Sequence, residues 1–137
     1  MSRANVEVVR RFYAQGGSLA SDRDPMPSLR EFCDPNVEWD FSRRGIDGEI
    51  YRGYEGWLRF AEQQRDAWQE FRYEADEIID AGESVVVFSR NTGLAKSGIE
   101  LGVRVDQVLT LREGKIVHYR YFGEDRAACL EAAGLTG

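Results

Sequence analysis

The sequence predicts an α+β domain whose helices pack on one face of a curved antiparallel sheet. Apolar residues recur at helical spacing through the first half of the chain, and strand-period runs crowd the part after Phe71. The 137 residues, 42% hydrophobic and 12% aromatic, suffice for one core, and without a repeat, a linker or a second composition, residues 1–137 read as a single domain.

Val6, Val9 and Tyr13, with Val8 and Phe12 beside them, place a first helix over residues 5–14 that Gly16-Gly17 ends. Ser18, Ser21, Asp22, Asp24, Pro25 and Pro27 give residues 18–27 the chemistry of a loop. Ser28 with Glu31 three residues on forms a capping-box pattern, opening a short helix through Leu29, Phe32 and Cys33 that closes at Pro35. Residues 37–41, Val-Glu-Trp-Asp-Phe, alternate apolar and acidic as a strand with one buried face does. Residues 42–53, with three glycines and mixed charge, read as a loop. Trp57, Phe60, Ala61, Trp68 and Phe71 share one helical face and predict the longest helix, over residues 54–71.

Strand signals follow at 73–79, 84–92, 103–111 and 116–122. Asp80-Ala81-Gly82 is the turn after the first of them, and Arg112-Glu113-Gly114-Lys115 joins the last two as a hairpin. A short helix over residues 125–133 stops at Gly134.

The net charge of −6 and the lack of a basic stripe argue against a nucleic-acid partner. No apolar run is long enough for a membrane span, and the first residues lack a secretory pattern, so a cytoplasmic location without a membrane partner is expected. Cys33 and Cys129 fit no metal spacing, and a single histidine cannot supply a zinc set, so no metal is expected and both thiols read as reduced core residues.

The order of elements resembles the SnoaL-like branch of the NTF2-like superfamily. So do Val-Val-Arg-Arg-Phe-Tyr at 8–13, Asp-Pro-Asn-Val-Glu-Trp at 34–39, Tyr-Arg-Gly-Tyr-Glu-Gly at 51–56, Glu-Gly-Lys-Ile at 113–116 and Leu-Glu-Ala-Ala-Gly-Leu at 130–135. The resemblance implies a cone, in which a curved antiparallel sheet wraps against N-terminal helices around a pocket. Members include ketosteroid isomerases, polyketide cyclases, limonene-epoxide hydrolases and association domains, none of which the fold alone selects. It also implies a homodimer, an expectation strengthened by Val108 and Phe122, which an uncovered outer face of the last two long strands would leave exposed.

Strand alternation sorts the polar residues. Arg90 shares a face with Val86, Phe88 and Thr92, and a guanidinium among apolar groups needs an acid or an anionic ligand; the alternative is a rim arginine stacked on an aromatic ring. By similarity to the epoxide hydrolases, Arg90 falls on their arginine, whereas Thr92 and Tyr121 fall where they carry acids, so that mechanism is not expected. By similarity to the isomerases, Asp106 falls on the oxyanion-binding acid by residue counting, yet a turn one residue shorter brings Gln107 there and leaves Asp106 outside. Asp40 falls on their general base in one register; in the other, supported by Val37, Trp39 and Phe41, it points out. Phe12 stands where they place a donor tyrosine, one residue before Tyr13. On the last strand Val117, Tyr119 and Tyr121 should face in and His118 out.

Tyr13, Trp39, Trp57, Phe60, Arg90, Gln107, Tyr119 and Tyr121 are therefore the candidate pocket, with Asp40 and Asp106 as candidate acids or bases and Trp68 and Phe71 as core. The expected function is binding of a small hydrophobic or weakly acidic molecule. A cofactor-independent isomerase, cyclase or hydrolase would act on a carbonyl-like substrate by acid–base chemistry; the alternative is a non-catalytic binding or dimerisation module.

Overall fold

The structure is a computed structural model that describes residues 3–15 and 25–135, with side chains except at 45–47. The expected Gly16-Gly17 stop and most of the 18–27 loop lie outside these residues. Helices α1 (Arg3–Gln15) and α2 (Met26–Phe32) lead into strand β1 (Cys33–Asp40). A 3-10 helix (Ser42–Asp47), β2 (Ile50–Arg52) and α3 (Gly53–Ala67) follow, then β3 (Trp68–Ala81), β4 (Ser84–Ala95), β5 (Glu100–Arg112), β6 (Lys115–Tyr121) and α4 (Arg126–Ala132).

The six strands form one curved sheet in the order β2-β1-β6-β5-β4-β3. Its pairs are antiparallel except β1 with β6, which run parallel and set Trp39 opposite Tyr119. An antiparallel meander accounts for β3 to β6. The parallel pair arises because β1 comes from the other end of the chain and closes the sheet against its last strand.

Three local expectations are corrected. Ser28 caps no helix: α2 begins two residues earlier with Pro27 in its first turn, and the Ser28 hydroxyl meets the Gln15 side chain at 3.1 Å. The helix expected over 54–71 ends at Ala67. The Trp68 backbone turns extended and its N–H closes the last helical turn on the Gln64 carbonyl, so Trp68 and Phe71 belong to β3 and only coincide with the spacing of α3. Residues 42–53, expected as loop, contain the 3-10 helix and the edge strand β2.

Helices α1 to α3 cover the concave face, where Val9, Phe12, Leu29, Phe32, Val37, Val85, Val87, Leu109 and Ile116 are buried together. The other face of β4 and β5 is covered as well, since Val86, Phe88, Val108 and Phe122 pack under α4 around Cys129. The helices thus occupy both faces, not one, and Val108 and Phe122 are sealed within the same chain. The exposed apolar pair that favoured a homodimer does not exist.

Candidate functional site

Residues i and i+2 of each strand share a face, so the concave side of β1 presents Trp39 and the following residue Phe41, β5 presents Val103, Val105 and Gln107, and β6 presents Tyr119 and Tyr121. A β-bulge on β6 sets Ile116 opposite Leu111 and His118 opposite Thr110, leaving the intervening Val117 unpaired; Ile116 takes the inward place expected for Val117. Together with Phe12 and Tyr13 of α1, Trp57, Phe60 and Gln64 of α3, and Trp68, Phe71 and Tyr73 of β3, these residues enclose a cavity of about 230 Å³.

Its walls are aromatic. Phe41 stacks on Phe60 at 4.4 Å between ring centroids, Trp39 lies 5.8 Å from Tyr119 and 6.5 Å from Trp57, and Tyr13 meets Tyr73 edge-on at 6.0 Å. The Trp39 indole N–H donates to the Gly53 carbonyl at 3.1 Å, which fixes that ring at the start of α3. Trp68 rests on Gly93, where a β-carbon would come within 2.6 Å of the indole. All three tryptophans of the chain line this one space.

One polar strip crosses the apolar wall. Gln107 is buried; the two N–H groups of its Nε2 are shared among the Val87 carbonyl at 2.8 Å, the Val105 carbonyl at 3.0 Å and the Ser89 hydroxyl at 3.1 Å, so its Oε1 is left to accept the Tyr119 hydroxyl at 2.9 Å. Ser89 continues the strip to Asn91 at 3.1 Å. The hydroxyls of Tyr13, Tyr73 and Tyr121 bond no other described residue, and among the described residues no side-chain N or O atom sealed from solvent lacks a partner, so these three hydroxyls are open to a ligand. Burial pushes the Tyr13, Tyr73 and Tyr119 hydroxyls well above the ordinary phenol range, and neighbouring phenols push Tyr13 and Tyr119 further. They are donors at any physiological pH.

The charged candidates lie elsewhere. Arg90 is corrected: its side chain is 59% exposed and pairs with Asp76 at 3.0 Å on the far face of β4. Val85, Val87 and Ser89 face the cavity side of that strand instead. Because α4 covers the opposite face, both sets of β4 residues are apolar and alternation does not tell the faces apart. Asp106 is buried on the far face near the start of α4. Burial raises its carboxyl, only partly offset by the Asp125 amide, Arg104 and Arg126. Asp40 also lies outside the cavity. Burial lifts its carboxyl, but the Ser42 hydroxyl at 2.6 Å and amide at 2.9 Å, with His118 and Arg120, outweigh this and hold it below the usual range. His118 stands on the outer face, 3.6 Å from Glu38. Neither candidate acid reaches the cavity.

Sequence reasoning missed Arg44. It projects from the 3-10 helix, its guanidinium 5.8 Å from the Phe41 ring centre and 5.6 Å from that of Phe60, and it is the one charged side chain among the described residues of the cavity wall. The only signal was the arginine pair Arg43-Arg44, one serine after the inward aromatic Phe41. Trp68 and Phe71, expected as core, are half-buried cavity residues. Both cysteines are buried free thiols, which burial pushes up to about 12, and among the described residues no cluster of His, Cys, Asp or Glu is placed to hold a metal ion. No described helix is long and apolar enough to cross a membrane.

A curved sheet wrapped on helices around an aromatic cavity is the architecture of the NTF2-like pocket domains. The chain belongs to the SnoaL-like domain family, whose sequence profile matches residues 9–119. No curated protein matches it. Similar solved structures include TerC co-crystallised with polyporic acid, at 24% identity over 96% of this chain and 98% of that one, with a TM-score of 0.73. A protein described as a SnoaL-like polyketide cyclase from Jannaschia sp. CCS1 is 22% identical over 100% and 97% of the two chains, with a TM-score of 0.74. An NTF2-like protein from Burkholderia thailandensis E264 is 26% identical over 98% of each chain, with a TM-score of 0.72.

Proposed function

We propose that this protein binds a flat, apolar, oxygen-bearing small molecule in its cavity, without a cofactor and without acid–base chemistry of its own. The observation that carries this is the character of the cavity wall. Aromatic rings supply area, phenol donors held protonated supply hydrogen bonds to a carbonyl or quinone oxygen, and the described wall holds no carboxylate or imidazole to take a proton. A cavity of about 230 Å³ is small beside the roughly 300–1,000 Å³ of drug-sized sites, so one or two fused rings suit it best. The fold shared with TerC, co-crystallised with polyporic acid, and with a protein described as a SnoaL-like polyketide cyclase supports an oxygen-bearing ring compound as the ligand.

Titration with 2-naphthol, read by quenching of the tryptophan fluorescence, tests the reading. Saturable quenching is expected, at least tenfold weaker in Val105→Phe, which fills the cavity from β5. No saturation, or a Val105→Phe curve that overlays the parent's, would overturn it. Deuterium uptake at the α-carbon of 2-tetralone tests the second half of the proposal: no acceleration over buffer is expected, and a saturable acceleration would restore a catalytic assignment.

A further inference from the structure

The geometry points to Arg44 as the anion-recognising residue of this cavity, and to a flat aromatic acid, a carboxylate or an acidic enol, as its ligand class. The inference rests on the cavity being a binding site and adds the charge of what it binds. Two adjacent arginines leave the end of β1 in opposite directions. Arg43 pairs with Asp125 at 3.1 Å and lies 4.8 Å over Phe122 on the α4 side, so its charge is answered within the chain. Arg44 turns to the cavity, anchored at its backbone by a 2.9 Å bond from its N–H to the Phe41 carbonyl.

There it meets rings and no acid among the described residues, in a chain with 24 carboxylates to offer and a net charge of −6. Stacking against Phe41 and Phe60 keeps the guanidinium near the rim, with its donor edge free for a planar anion. The position suits an amphiphile: rings go inward between Trp39, Phe41, Trp57 and Tyr119, and the anionic group stays at the solvent edge, where it is not stripped of all its water.

The test compares two probes of nearly equal shape, 2-naphthoate and 2-naphthol, at pH 7 on the full chain, its Arg44→Met and its Arg44→Lys variants, with circular dichroism to verify folding. Arg44→Met is expected to weaken 2-naphthoate at least tenfold and 2-naphthol less than threefold, and Arg44→Lys to recover part of the naphthoate loss. If both probes bind the parent but Arg44→Met leaves naphthoate unchanged, or weakens the two equally, the anion role is overturned and the cavity reading stands. If neither probe binds the parent, the cavity reading falls and takes this inference with it.

Discussion

The Tyr119 hydroxyl donates to Gln107 Oε1 across 2.9 Å, and the orientation of that amide is dictated by the Val87 and Val105 carbonyls on its other side. A glutamine held by two strands thus positions a phenol from a third. Gln107→Leu removes the acceptor of the Tyr119 hydroxyl and is expected to cost about 1–3 kcal/mol in urea unfolding. The Gln107→Leu, Tyr119→Phe double variant should lose less than the sum of the two singles, by about 1 kcal/mol. Strict additivity would show that the two side chains do not act as a unit.

Gly93→Ala should disturb the cavity mouth without straining the strand. The new methyl would lie 2.6 Å from the Trp68 indole, so the ring has to move. A cost of about 1–3 kcal/mol is expected, with a shifted emission maximum and altered affinity for 2-naphthol. An unchanged spectrum would place Trp68 elsewhere in solution.

Asp106 and Asp40 should impose opposite pH slopes on stability. The Asp106 pKa is raised in the fold, chiefly by burial, so stability is lost as pH rises from the unfolded value of about 3.9 through the raised one. Asp106→Asn is expected to equal or exceed the parent at pH 7 by no more than about 1 kcal/mol, the difference closing below pH 4. The Asp40 pKa is lowered: burial is outweighed by Ser42, His118 and Arg120, so its stabilisation is present above about pH 3.9 and lost as pH falls through the lowered value. Asp40→Asn should therefore be less stable than the parent at pH 7 by under about 1 kcal/mol, with the gap closing in acid. Urea midpoints between pH 3 and 7 measure both, and slopes of the same sign would contradict the two environments.

Arg90→Met and Asp40→Asn are both expected to bind 2-naphthol and 2-naphthoate within twofold of the parent, because neither side chain reaches the cavity. Equilibrium titration of the folded variants decides it. A tenfold loss in either would return that residue to the site.

What the sequence disclosed follows which faces water wets. On β1 the outer positions Glu38 and Asp40 are acidic, so Val37, Trp39 and Phe41 declare the inner face. On β5 the polar Arg104 and Thr110 flank the inner run of Val105, Gln107 and Leu109 in the same way. On β4 the run from Val85 to Phe88 is buried on both sides, so alternation carried no information and Arg90 was assigned to the wrong face. Trp68 and Phe71 were drawn into a helix because their spacing from Trp57 and Ala61 satisfies a helical period as well as a strand's flank. Arg44 was invisible for another reason. It belongs to a 3-10 turn without period, and only the fold shows which side of β1 that turn overhangs.

The parallel pairing of β1 with β6 also bears on the order of assembly. The β3–β4 and β4–β5 hairpins close between neighbours in sequence, whereas Trp39 meets Tyr119 only when the whole intervening chain has come back on itself. On that ground the meander is expected to form early on the folding route and the β1 wall to join it last. Substitutions at the Trp39–Tyr119 seam should speed unfolding while leaving the folding rate nearly untouched, and a bound ligand, touching both sides of that seam, would act as a brake on its opening.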